Sequence, residues 1–393
     1  MSLFSSKKDS ECVLVFDIGS GSVGGAIVLT SKGHTPAILY SFRSDIPFQE
    51  EATGLRLLSL MIRSLSQVVL ALCHEGFDAA GFGSERPKIE EAFISLSAPW
   101  VISKTSLLKL QNQTPLTITP EVFSSLLKHS AEETQPSQND VPKGSFQIER
   151  KLIKSILNGY ETSSPYEKKA TEAEFALFSS FSASKVTEKI SDTITELIHP
   201  KTMSFHSFAL LTFVALRELY PHEEHFLAVD VSGEQTELSI VKKGVLVETV
   251  TFPFGRNHLI RTLKKSIHVP ALGAEAFFKL YASKSGTGKL YERVRKVLEL
   301  SEENWRNEFQ KTLTTFSEEF FLPKSLFITA DDDVTPIFMH AIGRGDFSKF
   351  MISPGAFRTL SVNAELLAPL VKWNPSGARD PFIGLIASSA SHL

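Results

Sequence analysis

The feature that most constrains this chain is a pattern it carries twice. Cys12 to Ile27 reads C-V-L-V-F-D-I-G-S-G-S-V-G-G-A-I, and Phe226 to Ile240 reads F-L-A-V-D-V-S-G-E-Q-T-E-L-S-I. Each is an apolar strand ending on an acid, then a turn of small residues, then a second apolar strand. The acids are Asp17 and Asp230, one in each half of the chain. A turn of this kind leaves backbone N–H groups pointing outward, and a nest of amides can cradle a phosphate. A carboxylate at the strand end suits a hydrated Mg²⁺, which keeps most of its waters. One such hairpin per half predicts a duplicated α/β domain closing on one nucleotide.

The chain has 393 residues, enough for two domains or one large two-lobed fold. The net charge of −3 offers no electrostatic case for nucleic acid. Cys12 and Cys73 are the two cysteines. They have no metal-like spacing and are too few for a disulfide scaffold, which fits a reducing cytoplasm. Met1 to Ser10 is polar, and Asp17 and the glycines interrupt the apolar run after it, so no signal peptide is expected. Leu55 to Cys73 is long enough to span a membrane. Arg56, Arg63 and Gln67 lie inside it, and it reads better as a buried helix.

Along the chain, Val13 to Phe42 reads as strands and Leu55 to Cys73 as the first long helix. Ala92 to Leu110 reads as two strands broken near Pro99-Trp100. Thr119 is a suitable N-cap, with Pro120 at the first helical position, for a helix to about Glu133. Thr134 to Gly144 is a loop. Two strands around Asn158-Gly159 follow, then a helix over Ala183 to Ile198 and a strand and helix over Met203 to Leu219. In the second half, Phe252 to Ile267 is a turn and helix. Glu275 to Tyr281, Tyr291 to Leu300 and Asn307 to Phe321 are separate helices, Ser325 to Thr329 is a strand, and the end is a helix.

These motifs resemble the actin-like ATPase superfamily, and within it the bacterial FtsA and PilM branch. Asp17 to Val23, D-I-G-S-G-S-V, looks like the opening D-I-G-S-S-K-V of FtsA. Asp230 to Glu237, D-V-S-G-E-Q-T-E, looks like a worn D-I-G-G-G-T-T-D. Ala274 to Lys279, A-E-A-F-F-K, resembles the A-E-x-x-K pattern with one more residue before the lysine; in that pattern the acid and lysine face ribose and adenine. The helix and strands after Gln111 stand where FtsA carries an extra subdomain. The resemblance implies an α/β, two-lobed actin-like fold (ribonuclease H-like, duplicated) with a small inserted strand-helix-strand-strand subdomain. The expected boundaries are 11–110 for the first lobe, completed by 183–225, 111–182 for the insert, and 226–393 for the second lobe, with a helical part at about 270–322.

The same resemblance implies ATP and Mg²⁺ as ligands. Its nucleotide-binding residues map onto Asp17, Gly19, Ser20, Gly21, Ser22, Asp230, Ser232, Gly233, Thr236, Gly255, Glu275 and Lys279, with Asp17 and Asp230 holding the metal. Glu218, by its order in the chain, is the candidate for positioning the attacking water. Several departures weaken nucleotide chemistry. Ser22 replaces the FtsA lysine, Glu234 adds a negative charge beside the phosphates unless it points outward, and Ala330-Asp331 replaces a glycine pair under the base. The plain readings are a glycine-rich β-turn for the first hairpin and an ordinary surface Glu–Lys pair for Glu275 and Lys279. Ser283 to Lys289 looks like a P-loop but lacks its first glycine and its final hydroxyl. His222-Glu223-Glu224-His225 lacks metal-binding spacing, and Asp331-Asp332-Asp333 reads as a solvated turn.

The functional expectation is an actin-like, ATP-binding scaffold of a bacterial membrane-associated machine, at most a slow ATPase. Cell division stands first, with PilM-like action in type IV pilus assembly as the alternative. The chain stops at Leu393 without the amphipathic tail usual in FtsA, which favours the pilus side; the insert favours FtsA. A pseudo-ATPase that binds only partners and a sugar-kinase-type phosphotransferase are the other readings. Partners are proteins of a division or pilus complex, self-assembly is open, and nucleic acid is not expected. The location is cytoplasmic, with membrane association through partners. The insert is expected to be a partner surface.

Overall fold

Strand pairing sets the architecture. The computed structural model describes residues 10–51, 54–83, 86–134, 144–317, 321–351 and 355–390. The first sheet holds β1 (Glu11–Ile18), β2 (Ser22–Ser31), β3 (His34–Asp45), β4 (Ile89–Leu96), β9 (Thr202–Ser207) and β15 (Lys372–Trp373), in the order β15-β3-β2-β1-β4-β9. The second holds β10 (Phe226–Val231), β11 (Thr236–Lys242), β12 (Val245–Phe252), β13 (Ser325–Ala330) and β14 (Arg358–Ser361), in the order β12-β11-β10-β13-β14. With β15 set aside, the two orders are the same. In each, the first three strands form an antiparallel meander and the last two run parallel to the first. This is the duplicated arrangement that the two hairpins predict, in the ribonuclease H-like form that the resemblance implies.

The central strands are apolar on both faces because helices cover both. On one face of the first sheet lie α1 (Gly54–Ala71) and α4 (Ser184–Thr195). Leu57, Leu58, Met61, Leu65 and Val68 of α1 pack there with Val186, Ile190 and Ile194 of α4. The helix α1 continues through a wider turn, Leu72–Gly76, into the short α2 (Phe77–Ala79). The opposite face meets α5 (Phe208–Leu219) and α10 (Pro381–Ser389). These two helices share one core with Val13, Val15 and Phe93 of the first sheet and with Phe226, Ala228, Val241 and Phe327 of the second. A single apolar core therefore joins the lobes beneath the cleft.

The second lobe adds α6 (Arg256–Ile267), α7 (Ala271–Ala282), α8 (Gly288–Ser317) and α9 (Thr335–Gly343). The two separate helices expected over 291–321 are one 30-residue helix, α8. The polar stretch between them does not break it, because Glu302 and Trp305 point inward. Glu302 is bonded by the Tyr281 hydroxyl at 2.5 Å and sits 2.9 Å from Nδ1 of His340. Trp305 stacks on Phe309.

The third sheet is the insert: β5 (Ile102–Thr117), β6 (Ser145–Leu157), β7 (Tyr160–Glu161) and β8 (Lys169–Ala183), in the order β5-β8-β6-β7. One face is covered by α3 (Pro120–Thr134), through Phe123 against Leu108, Phe175 and Leu177. Thr119 caps α3, accepting from the Val122 N–H at 3.3 Å. The loop predicted at 134–144 lies mostly outside the described residues. Two boundaries are corrected. The insert starts at Ile102 and not at 111, since β5 pairs with β8 from Ile102↔Phe181 onward. The C-terminal segment leaves the second lobe: β15 joins β3, and α10, buried along its whole length, packs on the first sheet beside α5. A helix apolar all round needs burial on every side.

The insert is anchored through a buried carboxylate. Glu149 on β6 accepts from the Ser180 hydroxyl at 2.8 Å and the Ser207 N–H at 2.7 Å, and lies 3.1 Å from Nδ1 of His206. The His206 ring stacks on Phe93 at 4.2 Å. The insert also touches the second lobe, where the Thr105 hydroxyl donates to the Leu246 carbonyl at 2.5 Å and the Lys154 ammonium to the Lys243 carbonyl at 2.8 Å.

Candidate functional site

The strand ends of both central sheets converge, and the two hairpin turns meet there face to face. The Ser20 N–H donates to the Ser232 hydroxyl at 3.1 Å, and the two hydroxyls share a bond of 2.9 Å. The Glu234 N–H donates to the Ser20 hydroxyl at 2.9 Å. Gly21 and Gly233 bring backbone against backbone. A Cβ placed on Gly233 would lie 2.5 Å from the Gly21 Cα. Here the glycines serve hairpin-to-hairpin packing, a use of the missing side chain as physical as anion binding.

Many of the donors that make such a turn an anion nest have protein partners. The Gly19 N–H bonds the Ser22 carbonyl at 3.2 Å, and the Ser232 N–H bonds the Gln235 carbonyl at 3.0 Å. The first amides of α6 point at the second hairpin, where Arg256 N–H reaches the Ser232 carbonyl at 3.0 Å and Asn257 N–H the Gly233 carbonyl at 2.8 Å. Gly255 permits that approach, because a Cβ there would sit 2.3 Å from the Ser232 carbonyl oxygen. Thr236 is a core residue. Its hydroxyl donates to the Phe254 carbonyl at 2.6 Å and accepts from the Trp305 indole N–H at 3.0 Å. The Trp100 indole N–H bonds the Gly19 carbonyl at 2.8 Å and pins the first turn from the insert side.

Asp17 ends β1 as expected, and its carboxylate meets an arginine. Arg43 on β3 binds Asp17 at 2.8 Å, the Ser22 hydroxyl at 2.8 Å and Asp380 at 2.6 Å, with its guanidinium 4.9 Å from the Phe382 ring centre. Burial pushes the Asp17 carboxyl up to about 6; Arg43 pulls it down and Asp380 pushes it up again. Burial alone would lower Arg43, but Asp380 and Asp17 more than reverse that and raise it. Asp230 has no such cation. It sits opposite Glu237 in the β10–β11 ladder, its Oδ1 is buried without a partner, and burial first and Glu237 second push its carboxyl well up. Burial raises Glu237 to about 7.

Glu234 does turn away from this cluster. Its carboxylate binds the Asn257 amide at 2.8 Å and Arg261 at 2.5 Å. Arg261 also bonds the Gln49 carbonyl of the first lobe at 3.2 Å, and Lys264 pairs with Glu50 beside it. At the other end of the cleft, Arg256 lies 5.6 Å from the centre of the Phe278 ring on α7 and pairs with Asp333 at 3.3 Å. Burial raises Asp331 in the same loop, and Arg43 and Arg256 offset part of that. On α7, Ala274 and Phe278 are buried, Glu275 is half-buried and Lys279 is exposed. Glu218 is exposed in the last turn of α5, about 16 Å along the helix from its cleft end. It does not reach the cleft.

The structure thus brings together Asp17, Gly19, Gly21, Ser22, Asp230, Ser232 and Gly233 around a cavity of about 20 Å³. Small-molecule sites are on the order of 300–1,000 Å³. The residues as arranged do not fit a nucleotide with its metal: the triphosphate has no space between the turns, and Arg43 already binds one oxygen of Asp17, the acid expected to hold Mg²⁺, whose Oδ1 is left buried without a partner. Among the described residues, no group of three or more His, Cys, Asp or Glu is placed to hold a metal ion. A larger open groove of about 680 Å³ lies along α8, by Phe254, His258, Asn304 and Lys311, and includes none of the hairpin acids. Sequence reasoning missed Arg43, Asp380, Trp100 and Arg261. One signal for Arg43 was available. Gly24 pairs with it across β2 and β3, and a Cβ on Gly24 would lie 2.7 Å from its guanidinium nitrogen. An interior strand glycine marks such a close approach.

No family model and no curated protein sequence matches the chain. Among solved structures, the chain is similar to one described as the PilM–PilN type IV pilus biogenesis complex, at TM-score 0.61 and 13% identity, covering 96% of this chain and 98% of that one. The ethanolamine utilization protein EutJ from Carboxydothermus hydrogenoformans follows at TM-score 0.44 and 11% identity, covering 97% and 89%. A Bacteroides thetaiotaomicron protein described as having an actin-like ATPase fold stands at TM-score 0.42 and 8% identity, covering 98% and 99%. The match at TM-score 0.61 shows that the chain shares its two-lobed fold with the protein of the PilM–PilN complex.

Proposed function

We propose that this protein is a PilM-like scaffold, a cytoplasmic component that works through protein partners in the assembly of a bacterial type IV pilus or a related membrane machine. The observation that carries the proposal is the extent of the match to the protein of the PilM–PilN complex, which runs over nearly the whole of both chains. The insert supports it as well. Its sheet has a long edge strand, β5, whose far half, beyond the contact at Thr105, pairs only on the β8 side in the described residues. An open edge of this kind can take a partner strand. The attachment to the membrane is through those partners.

Deletion of the gene tests the pathway. The proposal expects cells that divide at normal length and have lost pili and surface motility, both restored by the gene supplied in trans. Filamentous, undivided cells with normal pili would overturn it in favour of the division scaffold. Affinity purification from solubilised membranes, followed by mass spectrometry, reads the partner set directly. Pilus platform proteins support the proposal, and division-ring proteins in their place contradict it.

A further inference from the structure

We propose that Arg43 and Arg256 fill the two ends of the cleft, and that protein contacts alone hold the lobes closed, so that the molecule is a fixed clamp that takes no nucleotide. This stands apart from the pathway reading, since either machine could use a fixed scaffold.

Three observations converge on it. The first is thickness. A bound phosphate needs donor distances of about 2.7–3.2 Å on each side, yet Gly21 and Gly233 leave less than the room of one methyl group between them. Four turn amides (Gly19, Ser20, Ser232 and Glu234) have protein acceptors. The second is charge. Arg43 bonds Asp17, Ser22 and Asp380 at once, a planar fork satisfied on three sides. Arg256, between Phe278 and Asp333, spans the gap from α7 to the loop after β13, where the family resemblance puts the base.

The third is the number of straps across the cleft. Ser20 with Ser232, Arg261 with the Gln49 carbonyl and Lys264 with Glu50 join the first lobe to the second at the cleft. Thr105 with the Leu246 carbonyl and Lys154 with the Lys243 carbonyl tie the insert to the far end of the second sheet, at the β11–β12 turn, on the other side of the core that α5 and α10 share with both sheets. Opening the lobes far enough to admit a triphosphate breaks the straps nearest the turns together. A ligand can open a clamp only by as much as it prefers the open state, and here the donors it would need must first be released.

The test uses the whole protein with Mg-ATP and Mg-ADP as probes, in calorimetry and in thermal melts. Wild type is expected to give no saturable heat at millimolar nucleotide and no shift in melting temperature with nucleotide or MgCl₂. Arg43→Ala is expected to melt several degrees lower and to become Mg²⁺-dependent, its melting temperature climbing with MgCl₂ as a divalent cation takes over the charge. Arg43→Lys should stay close to wild type and indifferent to Mg²⁺. Saturable binding of Mg-ATP to wild type overturns the proposal. So does an Arg43→Ala protein as stable as wild type and indifferent to Mg²⁺. Should Arg43→Ala not fold, spin labels on the exposed Ser59 and Lys296 in the wild-type background decide: one narrow interlobe distance, unchanged by Mg-ATP, supports the clamp, and a shifted distance refutes it.

Discussion

The two hairpins share one topology and live in opposite electrostatic surroundings. Asp17 ends its strand against Arg43, which also holds Asp380. Asp230 ends the equivalent strand with another acid, Glu237, directly across the ladder and no cation bound to it; each of the two aspartates keeps one buried oxygen without a partner. Strand order and register are set by the backbone and the apolar faces, and both halves keep them. Charge compensation is set by single side chains on neighbouring strands, and only one half has it. A repeated motif therefore carries its fold to both lobes without carrying its chemistry, which is why fold alone cannot name a function.

The largest expected difference between the halves is steric. Gly233→Val drives side-chain atoms into the Gly21 backbone, and should cost more than about 4 kcal/mol in urea unfolding or prevent folding. The counterpart Gly21→Ala meets Gly233 at 3.1 Å and should cost about 1 kcal/mol. Equal losses would show that the turns do not meet as described.

Next come the acids, with opposite signs. At pH 7.5, Asp17→Asn leaves a half-buried arginine short of a partner and should destabilise by roughly 2 kcal/mol. Asp230→Asn removes a buried carboxyl whose ionisation the fold opposes and should stabilise by about 1–2 kcal/mol. If both variants destabilise alike in denaturant melts, the contrast between the hairpins fails.

A pH titration reads the same contrast more gently. Asp17, held up at about 6, and Glu237, at about 7, bind protons in the folded state at pH values where the unfolded chain has released them. Stability from these groups is therefore highest below the unfolded carboxyl range, near pH 4, and is lost as pH rises through 6 and 7. The melting temperature should rise when pH falls from 7.5 to 5.5, and Glu237→Gln should flatten that slope. A slope of the other sign would mean these carboxyls are not buried as described. The smallest effect is Glu218→Ala, an exposed change outside the cleft, expected within about 0.5 kcal/mol of wild type.

The fold was legible because it rests on apolar periodicity and turn residues. The strand-turn-strand units, the Thr119-capped helix and the closing helix all stand where their patterns place them. The positions of Asp17 and Asp230 at strand ends were legible too, since the chain itself puts them there. What the hairpins touch was not. Arg43 meets Asp17 only through the β1–β2–β3 pairing, and Asp380 comes from the far end of the chain. Ser20 and Ser232 looked like small turn residues suited to an anion, and they bond one another. Glu218 was chosen by order alone, and helix length carried it away from the cleft. Local signals specify elements, whereas the state of a cleft between two lobes depends on distances no local pattern encodes.

The return of α10 to the first lobe has a consequence for synthesis. Asp380, which completes the Arg43 cluster, lies 337 residues after it. At about 5–20 residues per second, a ribosome takes roughly 20–70 s to go from one to the other. Throughout that interval the first sheet lacks β15 at its edge and α10 beside α5, so part of one face stays uncovered. The N-terminal half cannot mature as an independent unit; its closing piece is made 337 residues after Arg43. A nascent chain stalled before Asp380 should remain protease-sensitive across β1–β3, and a chain extended past α10 should convert to a resistant form in one cooperative step.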